Sequence, residues 1–253
     1  MSDPNHVLIA RQSGVLKIGI NRPEKKNALN QAMYESIGQA FITAGKDPDI
    51  RVVLLHGLPD CFSAGNDLAD FNHRDPNKPS PGSLLLQIMH DFEKPVLAAV
   101  SGLAVGIGTT MLLHCDLVYA ESKTRFRLPF VDLGVCPEAG SSLTLPAIVG
   151  HRRAAELLML GEFFSIETAI DAGIVTRGIN GEALMEVANA KAVALTEKPV
   201  EALLATKRLL KQTQHQSVKE RMDEEFRLFR KLLQTPESIA ARQRAMQGSK
   251  KSM

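Results

Sequence analysis

Two short apolar runs, Val52-Val53-Leu54-Leu55 and Val96-Leu97-Ala98-Ala99-Val100, constrain this chain more than any other feature. Each reads as a buried strand. Each is followed by a turn of small residues, Cys61 to Leu68 after the first and Ser101 to Thr110 after the second. A helical pattern then follows, after a polar loop in the first case and directly in the second. The chain thus repeats an order of apolar strand, Gly-rich turn and amphipathic helix. The copies differ in sequence, so the repeat is structural. The fold class is α/β.

The flanking segments fit that order. Val7 to Ile20 reads as two strands around a Ser13-Gly14 turn, followed by a polar turn from Asn21 to Asn27. Ala28 to Gly45 places Leu29, Met33, Ile37 and Phe41 on one helical face. Ala69 to Ser83, with Pro76, Pro79, Pro81 and Gly82, is expected to be a mobile surface loop. Helices are expected over Ser83 to Phe92 and Gly106 to Leu113, and strands over Leu117 to Ala120 and Thr124 to Leu128. From Ser141 the chain reads as mostly helical: Leu143 to Val149, His151 to Leu160, Ser165 to Ala172, Glu182 to Thr196 and Val200 to Thr213. Gly150, Gly161, Gly173 and Pro199 punctuate these helices. Met222, Phe226, Phe229 and Leu233 then form an apolar stripe on a charged helix. That stripe fits packing against another subunit or against the chain's own core.

Composition excludes several classes of function. A chain of 253 residues, 44% hydrophobic, suits one large domain or one domain with an appendage. A net charge of +2 provides no strong field for nucleic acid. Cys61, Cys115 and Cys136 form neither a zinc pattern nor a disulfide framework, which fits a reducing compartment. Met1 to Arg11 lacks the pattern of a secretory signal, and no apolar segment is long enough to span a bilayer. The final Lys251-Ser252-Met253 is not the Ser-Lys-Leu peroxisomal address. The expected location is the cytoplasm, with no metal, membrane or nucleic-acid partner.

The chemistry concentrates in three segments. Within Val131 to Ser142, the carboxylate of Glu138 stands in an apolar turn punctuated by glycine and proline. Desolvation there would raise the pKa of a carboxylate and make it a better base. In the turn after the first strand, Ser63, Ala64 and Gly65 let a ligand approach the backbone. In the turn after the second, Gly106 and Gly108 leave the Ile107 N–H accessible at a helix N-terminus. A dinucleotide fingerprint would need glycine at Met111, and neither a P-loop nor a nucleophile elbow occurs. One base and an oxyanion hole suffice to move a proton beside a carbonyl. The other ionisable residues read as structural. His56, His90 and His114 are packed or at the surface, Asp116 holds a turn, and Asp67 orders the first small-residue turn. Asp132 competes with Glu138 as base. Lys25, Lys26, Lys207, Arg208 and Lys211 read as solvated faces, a few within reach of phosphate groups.

The segments Phe62 to Leu68, Ala98 to Gly108, His114-Cys115-Asp116 and Phe126 to Gly140 together resemble the crotonase (enoyl-CoA hydratase/isomerase) superfamily, in order and spacing, over nearly the whole chain. The resemblance implies a spiral of ββα repeats over residues 1–195. A helical trimerisation region over 196–253 would make a homotrimer or a pair of trimers. It implies an acyl-CoA thioester as substrate, coenzyme A being part of the substrate and not a separate cofactor. The thioester oxygen would lie between the N–H groups of Ala64 and Ile107. Backbone atoms around Ala64 to Leu68 would hold the adenine end of the coenzyme A, and Ser63, Ala64, Gly65, Asn66, Asp67, Leu68, Gly106, Ile107 and Phe130 would bind the substrate.

The departures from the family pattern select a branch. The two glutamates with which hydratases position water fall on Thr110 and Phe130, so hydration by the usual pair is not expected. Pro137-Glu138-Ala139-Gly140-Ser141-Ser142 resembles the Δ3,Δ2-enoyl-CoA isomerase branch, in which a single glutamate at this position is catalytic. The implied activity shifts a double bond from position 3 to position 2 of an unsaturated fatty acyl-CoA, as in β-oxidation. Glu138 would carry the proton from C2 to C4. The alternatives are another crotonase-type reaction (hydration with a relocated base, or thioester hydrolysis) and a non-catalytic acyl-CoA-binding scaffold.

Overall fold

The computed structural model describes residues 6–73, 79–212 and 214–251. An antiparallel hairpin of β1 (Val7–Gln12) and β2 (Val15–Ile20) opens the chain. Ser13 and Gly14 both adopt positive φ at its tip, as a tight two-residue hairpin requires. β2 then pairs in parallel with β3 (Val52–His56), and β3 with β4 (Val96–Val100). β4 pairs with β6 (Leu117–Glu121), and β6 with β9 (Arg177–Ile179), again in parallel. Among the described residues the sheet order is β1-β2-β3-β4-β6-β9. A smaller sheet joins β5 (Leu103–Val105), β7 (Arg125–Arg127) and β8 (Phe163–Phe164).

The continuous apolar runs now have a physical explanation. Side chains alternate across a strand, and both faces of this sheet are covered. Val53, Leu55, Val96, Ala98 and Val100 enter the main core. Val52, Leu54, Leu97 and Ala99 face a second core closed by Leu184, Ala188 and Ala192 of α7 (Leu184–Thr196). The main core is covered by α1 (Gln31–Lys46) and α2 (Pro81–Asp91), capped by Asn30 and Ser80 respectively. Phe41 and Phe92 meet edge to face at 5.0 Å between them.

The expected helix from Gly106 to Leu113 divides into α3 (Ile107–Thr110) and a 3-10 turn over Met111–His114. The one expected from His151 to Leu160 divides into α5 (His151–Ala155) and a π turn over Glu156–Leu160. β5, β8 and β9 carry too little pattern to be read from sequence, since their pairing partners alone define them. A 3-10 turn spans Leu68–His73, and residues 74–78 of the expected mobile loop lie outside the described residues. α4 (Ser141–Val149), α6 (Ile166–Asp171), α8 (Val200–Gln212), α9 (His215–Leu233) and α10 (Pro236–Lys251) complete the chain. The stripe on α9 packs inward: Met222, Phe229 and Leu233 join the main core together with Val218, and Phe226 is partly buried against it. The chain thus adopts the expected α/β spiral with a helical C-terminal region. Among the described residues no helix is long and apolar enough to cross a membrane.

Candidate active site

The turns that leave β3 and β4 meet beyond the C-terminal ends of those strands. A short parallel ladder joins them. Ser63 N–H donates to the Leu103 carbonyl at 3.0 Å, and Val105 N–H donates to that of Ser63 at 2.9 Å. The buried Asn27 side-chain amide donates to the carbonyls of Ile20, Cys61 and Phe62 at 3.0, 2.8 and 3.2 Å. Ser63 Oγ donates to the Asn27 carbonyl and accepts from Gly65 N–H. Gly65 has φ +94°, and a Cβ there would lie 2.8 Å from the Val105 carbonyl oxygen, so only glycine fits. Asp67 pairs with Arg22 at 2.8 Å, and Tyr34 donates to Asn66 Oδ1 at 2.7 Å. The structural role read for Asp67 matches these contacts. Asn27, Arg22 and Tyr34 were not singled out, because their partners are distant in sequence.

The donor expected at Ala64 must be corrected. Its N–H donates to the Lys26 carbonyl at 3.0 Å, and the next N–H, of Gly65, is held by Ser63 Oγ. Leu29 N–H and Asp67 N–H hydrogen-bond across to the carbonyls of Gly65 and Leu29, a parallel bridge that directs the Asn66 N–H away from Leu29. Among the described residues, neither Asn66 N–H nor Ile107 N–H has a protein acceptor. Ile107 opens α3, where the first amides have no partner within the helix.

Asn66, Leu68, Gly106, Phe130 and Val135 line a cleft of about 450 Å³, closed on another side by Phe229 and Leu233 of α9. Three residues beyond Val135 stands Glu138, 7% exposed. Ala139 and Gly140 follow with φ of +64° and +69°, a sharp reversal that leads into α4. The backbone of Ala139 lies beside the imidazole of His114, at the end of the helical stretch that Ile107 opens. Burial pushes the His114 pKa down to about 3, so its imidazole is neutral. Thr110 and Phe130 are both buried, and neither offers a carboxylate. Asp132 is engaged by Arg127 at 2.9 Å.

One surface reading also changes. Lys207 is not solvated: its side chain is 6% exposed and donates to Asp116 at 2.7 Å and to the Lys94 carbonyl at 2.6 Å. Burial lowers its pKa to about 8, against the opposing charge of Asp116. Asp116 also accepts from Val96 N–H, which fits its reading as a turn residue. His90, Asp91 and His215 bring three possible metal-ligand atoms within 4.8 Å of one another. His90 stacks on His215 at 4.4 Å and meets the His114 ring edge to face at 5.5 Å.

Comparison with known proteins places this geometry. The profile of the family described as enoyl-CoA hydratase/isomerase matches residues 10–248. Human enoyl-CoA delta isomerase 2 is 34% identical over 220 residues, 84% of this chain, although the chain spans only 56% of that protein's length. The 2,3-dehydroadipyl-CoA hydratase of Escherichia coli is 32% identical over 91% of both chains. The structure of enoyl-CoA hydratase/isomerase from Pseudoalteromonas atlantica is 34% identical, covers 96% of this chain and 97% of its own, and superposes with a TM-score of 0.91. With sequence profile, relatives and fold in agreement from one end of the spiral to the other, the chain belongs to the enoyl-CoA hydratase/isomerase family.

Proposed function

We propose that the cleft converts a 3-enoyl-CoA to the conjugated 2-enoyl-CoA. One observation carries this reading: a buried carboxylate, Glu138, stands near the cleft, while Thr110 and Phe130 occupy the two positions where hydratases carry theirs. The thioester oxygen rests between the N–H groups of Asn66 and Ile107, and the backbone from Ser63 to Leu68 holds the coenzyme A portion. Glu138 takes the C2 proton, and the C–H electron pair delocalises into the thioester as a dienolate. The two N–H donors stabilise the charge that develops on oxygen, each typically worth about 10²–10³ in rate. Electron flow back from oxygen forms the C2–C3 double bond, the former C3–C4 pair takes the proton from Glu138 at C4, and no atom is gained or lost. Phe130 and Val135 keep water from the dienolate.

The name of the human relative supports isomerisation, while that of the Escherichia coli relative keeps hydration as the reading to test against. Leu209 and Leu210, 62% and 78% exposed on α8, offer an apolar surface for the homotrimer, or pair of trimers, that family membership suggests. The deciding experiment incubates the protein and its Glu138→Gln variant with a 3-enoyl-CoA, following conjugated absorbance and mass. Conversion without a change in mass, lost in the variant, supports the reading. Gain of one water overturns it in favour of hydration, and binding without conversion leaves a scaffold.

A further inference from the structure

We propose that Glu225, on α9, is a positioning residue for Glu138; this rests on the reading of Glu138 as the base. Its carboxylate is 3% exposed, and both oxygens are engaged. Oε2 accepts from Gly140 N–H at 2.6 Å, and Oε1 from Ser142 N–H at 3.0 Å. On the same turn of α9, the Glu225 carbonyl receives Cys136 Sγ at 3.5 Å. The segment that carries Glu138 is therefore tied to one helix turn on both sides of the base.

The reason for this arrangement lies at position 140. A helix start is ordinarily capped by a Ser, Thr, Asp or Asn side chain. The N-cap of α4 is Gly140, which has no side chain and φ +69°. A Cβ there would come within 2.9 Å of Val218 Cγ1, also on α9. The N-cap has no side chain to offer, so the acceptor for Gly140 N–H comes from a residue 85 positions away. Glu225 also engages two amide donors at the positive end of α4 that would otherwise be open to Glu138, three residues upstream. α9 thus sets both the course of the backbone after Glu138 and the donors available near it.

The test compares wild type with Glu225→Gln, Glu225→Asp and, as a destabilised control remote from the cleft, Ile37→Val. For each, turnover of a 3-enoyl-CoA, binding of a saturated acyl-CoA, melting temperature and amide exchange are measured. In Glu225→Gln, kcat is expected to fall at least 10-fold, with the Kd for saturated acyl-CoA within 3-fold. The Gly140 and Ser142 amides should exchange at least 10-fold faster. Glu225→Asp, which keeps the charge, should recover part of the loss. Unchanged kcat overturns the inference whether or not exchange changes. A loss matched by Ile37→Val at equal melting temperature overturns it in favour of a purely structural role. A wild type inactive on every 3-enoyl-CoA overturns the isomerase reading and this inference with it, whereas an active wild type equalled by Glu225→Gln overturns this inference alone.

Discussion

The two sides of the cleft solve one problem differently. On the donor side, the irregular backbone from Cys61 to Asp67 continues the pairing of the sheet. Its polar groups are met by Leu103, Leu29, Asn27 and Ser63, several of them at once. On the base side, the turn from Cys136 to Ser142 has no strand beside it. Its Gly140 and Ser142 amides are met by Glu225, and Ser141 N–H donates to the Glu138 carbonyl. Irregular backbone can thus be held by many shared hydrogen bonds or largely by one distant side chain. The first arrangement spreads the effect of a substitution, and the second concentrates it.

The largest expected effect would test whether the two sides differ in role at all. Glu138→Gln should lower isomerase turnover by about 10²–10⁴ while acyl-CoA still binds; equal turnover in the variant would remove the base from the cleft. Gly65→Ala should displace the Asn66 amide, because its Cβ meets the Val105 carbonyl. A fall in kcat/KM of about 10²–10³ is expected, the worth of one oxyanion donor, and unchanged kinetics would dissociate that turn from the reaction.

The next prediction concerns stability. Asn27→Ala strips one donor group from three buried carbonyls and should cost about 2–3 kcal/mol in urea unfolding. A cost below about 1 kcal/mol would mean that the ladder holds the donor side without Asn27.

The smallest effect belongs to the base side. The folded His114 stays neutral down to about pH 3, whereas in the unfolded chain it takes up a proton below about pH 6.5. The stability it contributes is therefore present above pH 6.5 and is lost as pH falls towards 3, by up to about 1.4 kcal/mol per pH unit. Unfolding free energies measured between pH 7 and 5 should fall less steeply in His114→Gln than in wild type. Identical slopes would show that His114 does not make the fold acid-sensitive.

Much of this was legible in the residues. Val52 to Leu55 and Val96 to Val100 are apolar without interruption because both faces of each strand are buried, and a one-dimensional pattern records that directly. Glu138 stands out because a carboxylate in an apolar turn is rare in composition alone. β5 and β9 were illegible because pairing with β7 and β6, and not a local pattern, defines them. Lys207 was misread as solvated because its burial depends on Asp116 and Lys94 meeting it from other elements.

The amino-acid order by itself determined the strand-turn-helix repeat, the small-residue turns, the placing of Glu138 in an apolar turn and the missing acids at Thr110 and Phe130, since all of these are local. Only the tertiary structure decided which amide of the first turn is free. Ala64 and Asn66 carry the same N–H group, and the difference is that the Lys26 carbonyl sits opposite one and not the other. The pairing of Glu225 with Gly140 and Ser142 was likewise settled by folding, because a hydrogen bond depends on distance in space and the sequence records only distance along the chain.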